Sequence, residues 1–182
     1  MIYYKHFDFQ IQNIIDETIL YKINPNKSHF NISILDINNN FIQLIESKGL
    51  MICWIEVFKL DPLHSSWPIH IDGNYLRDYP KLNFVFGNKN SPMIWYKSIV
   101  EKPKIVQPTV IDSSYIRFEP DEVLEVDRTL IRSTGTLVQV GVPHTTYLIG
   151  YSPRWILSIH FIKNFKFLTF DQLAEVFKEY EC

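Results

Sequence analysis

Cysteine, glycine and long apolar runs are all scarce in this chain of 182 residues, and each scarcity removes a class of protein. The two cysteines, Cys53 inside an apolar run and Cys182 at the last position, offer no disulfide framework and suit a reducing, cytoplasmic compartment. Six glycines are too few and too scattered for a Gly-x-Gly-x-x-Gly turn or a P-loop, so the common nucleotide-binding motifs are absent. No segment approaches the ~18 consecutive apolar residues of a membrane span. The start, Met1 to Asp8, lacks the basic and then apolar pattern of a secretory signal, so no membrane attachment is expected. Basic residues do not exceed acidic ones, 18 against 20, and the net charge of -2 argues against a nucleic-acid partner, whose phosphates need an excess of Lys and Arg.

What remains is a chain that is 46% hydrophobic and 15% aromatic, enough to build one independent core. Residues 1–182 read as a single domain: an N-terminal flanking segment (1–50), a β-rich core (51–161) and a C-terminal helix (162–182). In the first part, Phe41, Leu44 and Ile45 form one apolar helical face, with Lys48 and Gly49 suited to its C-terminal end. Short apolar runs bounded by turn residues then predict strands at 51–60, 67–72, 82–86, 93–97, 115–118, 123–131, 136–142 and 154–161. Pro103 and Pro108 mark 101–114 as a long loop, of the kind that serves as a lid. Thr169 and Gln172 form a capping box ahead of Phe170, Leu173, Ala174 and Phe177, spaced for one buried helical face. Many short strands with helices only at the flanks predict a mainly β fold, a double-sheet jelly roll.

Four polar residues interrupt the apolar runs. Alternation along a strand sends His70 and Asp72 to one face and Ile71 to the other. His144 shares parity with Val138, Val140 and Val142, which places it at the end of an inward-facing strand surface. Two imidazole nitrogens and one carboxylate oxygen on one side of a metal leave the other side open, as in Fe(II) oxygenases. Arg154 opens the run Trp155-Ile156-Leu157, where a guanidinium requires an anionic partner, and Arg holds carboxylates bidentately. Its separation from His144 allows one hairpin to set the two on neighbouring strands. His160 reads as a satisfied core histidine, and His6, His29 and His64 show no partner pattern.

His70-x-Asp72, a distal His144 and Arg154 ten residues later resemble the 2-oxoglutarate and Fe(II)-dependent oxygenase family, whose core is a double-stranded β-helix of the jelly-roll kind. The resemblance spans 51–161. It implies that His70, Asp72 and His144 bind Fe(II), that Arg154 grips the distal carboxylate of the cosubstrate 2-oxoglutarate, and that O2 is consumed with release of succinate and CO2. Asn83, polar within an apolar strand, is implied as a contact to the cosubstrate, against an alternative outward orientation. Many relatives carry Ser two residues after the Arg, where this chain has Ile156; Ser158 is the nearest candidate for that cosubstrate contact. One of Trp95 and Tyr96 faces the interior, and Trp67, Tyr75 and Tyr147 are candidates for a substrate mouth. The expected activity is hydroxylation of an amino-acid side chain or a small polar metabolite, the partner being a small-molecule or peptide substrate. A cupin-type metalloenzyme and a non-catalytic jelly-roll binding module are the alternatives. Arg154 has no role in the first, and the ligand set is coincidental in the second.

Overall fold

A computed structural model describes residues 2–22, 27–63, 65–72, 80–101, 104–106 and 115–182. In chain order the elements are β1 (Tyr4–His6), α1 (Thr18–Lys22), β2 (His29–Asn31), α2 (Asn39–Ser47), β3 (Met51–Leu60), β4 (Ile69–Ile71), β5 (Pro80–Gly87) and β6 (Pro92–Ser98). There follow β7 (Lys104–Val106), β8 (Tyr115–Phe118), β9 (Val123–Leu130), β10 (Thr136–Gln139), β11 (His144–Thr146), β12 (Arg154–Lys163), β13 (Lys166–Phe167) and α3 (Phe170–Val176). The chain is mainly β, and the described strands form two antiparallel sheets. One has the order β1-β10-β5-β12-β3-β2, with β13 paired to β12; the other has the order β7-β8-β4-β11-β6-β9. Successive strands alternate between sheets from β3 to β6, so the strands do not form a meander.

Both expected helices are present, the C-terminal one shorter than 162–182, because Ile162 and Lys163 continue β12, Lys166–Phe167 forms β13 and the helix spans Phe170–Val176. Asn38 caps α2 through its side chain, Phe41 and Ile45 are buried beneath it, and Gly49 takes a positive φ just past its end. Thr169 and Gln172 form the reciprocal capping box of α3, and Phe177 closes it as a fully buried residue. Both helices cover one face of the larger sheet, where Leu82, Phe84, Leu157, Ile159 and Phe161 meet Phe41, Ile45, Leu173 and Phe177 in the main core. The opposite faces of β5 and β12 look toward the smaller sheet. A second cluster, Val85, Met93, Trp95, Val138 and Val140, fills the space there.

Three expectations need correction. The stretch 101–114 is not wholly loop, because Lys104–Val106 pairs with β8 as an edge strand, and Ile105 and Val106 are residues that suit one. The strand from Thr136 ends at Gln139, and His144 belongs to a separate strand in the other sheet. His144 and Arg154 therefore do not lie on neighbouring strands, since β11 and β12 belong to different sheets and the segment between them crosses from one to the other. The turn at Gly73-Asn74, Tyr75, His64 and most of the 101–114 lid lie outside the described residues. None of the helices among the described residues is long and apolar enough to cross a membrane.

Candidate metal centre

The centre begins with a strand pair. β4 and β11 run antiparallel with His70 opposite His144, and cross-strand partners share a face. Trp95 is opposite His144 on the other side, and Arg117 is opposite His70, so one row on the inner face of the smaller sheet reads Arg117, His70, His144, Trp95. Ile69, Ile71, Ile116, Phe118 and Tyr96 fall on the outer face in their own cluster. Trp95 is thus the interior member of the Trp95/Tyr96 pair, with its indole N–H donated to the Gln139 carbonyl. Asp72 follows β4 at once, and its backbone N–H is bonded to the Val140 carbonyl. That bond carries its carboxylate back to the two imidazoles.

His70 Nε2 is 3.0 Å and His144 Nε2 is 3.7 Å from Asp72 Oδ1. The ring centroids of the two histidines are 4.5 Å apart, and the three donor atoms lie within 4.8 Å of one another. Each histidine anchors its other nitrogen on a backbone carbonyl two residues earlier, His70 Nδ1 on Pro68 at 2.7 Å and His144 Nδ1 on Val142 at 2.9 Å. A carbonyl only accepts, so both Nδ1 atoms carry hydrogen. In the neutral rings both lone pairs then sit on Nε2, aimed at a carboxylate oxygen. Three electron-rich atoms facing one point repel unless a cation lies between them, and two imidazoles with one carboxylate match Fe(II) and related ions. Burial, and then the neighbouring His70, lower His144 to about 4, so its ring is neutral and free to ligate at physiological pH.

The second carboxylate oxygen has another partner. Lys81 Nζ, buried on β5, lies 2.6 Å from Asp72 Oδ2 and 3.2 Å from Glu56 Oε2. Glu56 on β3 is held in turn by His29 at 3.1 Å and His160 at 3.2 Å. Burial would raise the Asp72 carboxyl, but the Lys81 ammonium outweighs it and holds the group well below its ordinary range. Glu56 is depressed in the same way, with Lys81 overcoming its burial, and Lys81 is raised by the two carboxylates in spite of its own desolvation. His160 is buried and satisfied, as expected, whereas His29 has the partner that the sequence pattern did not reveal. His6 likewise has one, its Nδ1 lying 3.0 Å from Thr136 Oγ1.

Along the inner face of β12 stand Arg154, Ile156, Ser158 and His160. Ser158 donates to Asn83 Oδ1 at 2.7 Å, and both are buried, so Asn83 faces inward. Arg154 is fully buried. One of its Nη atoms donates to the Ser91 carbonyl, and among the described residues Nε and the other Nη have no hydrogen-bond partner. Desolvation lowers it to about 10, and no carboxylate among the described residues offsets the loss of water. Trp67 packs edge-on against Phe58 at 5.9 Å, and Tyr147 bridges to Ser66 beside it.

The structure brings together His70, Asp72 and His144, and on the facing sheet Asn83, Ser158 and Arg154. Lys81 and Glu56 were missed by the sequence reading. Their signal was a lone base and a lone acid in two separate apolar strands, since charges in such runs are buried only in pairs. In comparisons with known proteins, no family model and no curated sequence matches the chain.

Proposed function

We propose that this protein is an Fe(II)- and 2-oxoglutarate-dependent dioxygenase that hydroxylates an amino-acid side chain or a small polar metabolite, with release of succinate and CO2. The observation that carries the reading is the pairing, in one interior, of a convergent His70-Asp72-His144 donor set with a buried guanidinium whose Nε and second Nη have no partner among the described residues. A guanidinium in that state is the complement of a carboxylate. The strand orders β10-β5-β12-β3 and β4-β11-β6-β9 support a double-stranded β-helix, because they are what an eight-strand jelly roll yields when its strands alternate between sheets and the middle two, here β6 and β9, fold back within one sheet.

In this reading His70, Asp72 and His144 hold Fe(II) through Nε2, Oδ1 and Nε2, and the ion supplies the activation of O2. Arg154 binds the distal carboxylate of 2-oxoglutarate. Asn83 and Ser158 lie along the same inner face between Arg154 and Lys81; the Ser158 hydroxyl is donated to Asn83 Oδ1 and turns the Asn83 amide N–H2 into the donor for the cosubstrate. Trp95 stacks with Tyr3 and Tyr4 and closes the interior beyond His144 to water. Arg117, on the other side of His70, is exposed and paired with Glu119, and in this reading that side is the approach for a polar substrate.

The test is a spectrum. Addition of 2-oxoglutarate to the anaerobic Fe(II) protein should produce the weak visible charge-transfer band of a metal-chelated keto acid. Metal binding without that band at saturating cosubstrate would overturn the reading and favour the cupin-type alternative.

A further inference from the structure

The two oxygens of Asp72 are divided between two tasks. Oδ1 faces both imidazoles, while Oδ2 is taken by the Lys81 ammonium at 2.6 Å. Lys81 has little freedom to leave. Its backbone is fixed in β5 opposite Val138, its ammonium lies 5.1 Å from the centre of the Phe58 ring, and Glu56 holds it from behind. Glu56 is itself fixed by His29 on Oε1 and His160 on Oε2. A buried ion pair of this kind contributes little to stability compared with an apolar pair of equal volume, so its presence beside the donor set calls for another role.

We propose that Lys81 is a positioning residue of the metal centre: by occupying Oδ2 it leaves Asp72 a single-oxygen ligand and so preserves the open positions that a chelating ligand and O2 need. The inference rests on the metal-site reading above. A carboxylate bound through both oxygens would take one more position of an octahedral ion and block the side that the two histidines leave free. Lys81 also sets the charge of the interior. A divalent ion, Lys81 and Arg154 against Asp72 and Glu56 leave a surplus of two positive charges, the complement of a dianionic diacid. Without Lys81 that surplus is halved.

The test uses the full chain loaded anaerobically with Co(II), whose visible d–d bands report coordination, with 2-oxoglutarate as the second probe. In Lys81→Met the d–d bands should change as Oδ2 joins the ion. Co(II) should bind about ten-fold more tightly, because a cation beside its ligand has gone, and 2-oxoglutarate about ten-fold more weakly, as expected for one close charge. Lys81→Arg should restore the wild-type spectrum and part of the 2-oxoglutarate affinity. The double variant Lys81→Met with Glu56→Gln removes one charge of each sign and restores the surplus of two: the d–d bands should still change as Oδ2 joins the ion, while the part of the 2-oxoglutarate affinity that rests on charge is recovered. A merely structural role lowers both affinities together, and that result overturns the proposal, as do unchanged spectra and affinities in either folded variant. Failure of the wild-type chain to bind Co(II) overturns the metal reading and this proposal with it.

Discussion

His70 and His144 stand directly opposite each other on β4 and β11, and each donates its Nδ1–H to the carbonyl two residues before it. The same local device is used twice, once on each strand. It turns two ordinary strand histidines into a matched pair whose Nε2 atoms share one target, Asp72 Oδ1.

From this pairing, one divalent transition ion per chain should bind. Removing either histidine should lower affinity at least ten-fold, because two donors cannot hold the ion as three do. Calorimetry of Co(II) or Fe(II) with His70→Ala and His144→Ala is the measurement. Wild-type stoichiometry and affinity in both variants would sink the assignment.

Arg154 should be separable from the metal. Arg154→Leu should leave the ion bound but cost roughly 2–3 kcal/mol of 2-oxoglutarate affinity, the scale of a charge-assisted hydrogen-bonded contact. Arg154→Lys should recover only part of it, because a point charge cannot match a two-pronged contact. Equal cosubstrate affinity in the wild type and Arg154→Leu would show that the guanidinium serves packing alone.

Gly87 tests how the β12 end is seated. It lies opposite Arg154 with φ +71°, and a Cβ there would run into the Pro153 carbonyl oxygen and the Trp155 ring. Gly87→Ala should destabilise the fold by about 2 kcal/mol or more, from the left-handed backbone and the clash together. Urea denaturation would read this as a lower midpoint with an unchanged slope. A midpoint within error of wild type refutes it.

Acid should weaken the metal-free protein in two stages. His144 has a folded value of about 4 against an ordinary 6.5. The unfolded chain therefore takes up a proton that the folded one refuses, and stability present above 6.5 is lost as pH falls toward 4. Single-group linkage limits the slope to about 1.4 kcal/mol per pH unit. His160 is lowered by burial and acts in the same direction. Glu56, depressed below its ordinary 4.5, adds a further loss below that pH. Thermal melts between pH 7 and pH 4 should show a steady decline in Tm. A flat profile across that range contradicts the burial argument for both histidines.

Local pattern carried much of this protein. The C-terminal end of α2 and the start of α3 were legible because caps are local chemistry: Gly49, Thr169 and Gln172 act on backbone groups within one turn. The bounds of β3 and β8 coincide with the apolar runs 51–60 and 115–118 because turn residues end them abruptly. His70 and Asp72 could be assigned to one face from the two-residue alternation of a strand, which no tertiary contact needs to supply. Tertiary structure alone decided which strands became neighbours. The sheet change between β10 and β11 set His144 against His70 and moved Arg154 to the opposite sheet, and no spacing rule fixes the path of a loop between sheets. Lys81, Glu56 and His29 come from three strands far apart in the chain. Each alone reads as a stray charge or a stray histidine, and only burial against one another, where an unpaired charge would be too costly, makes them part of the centre.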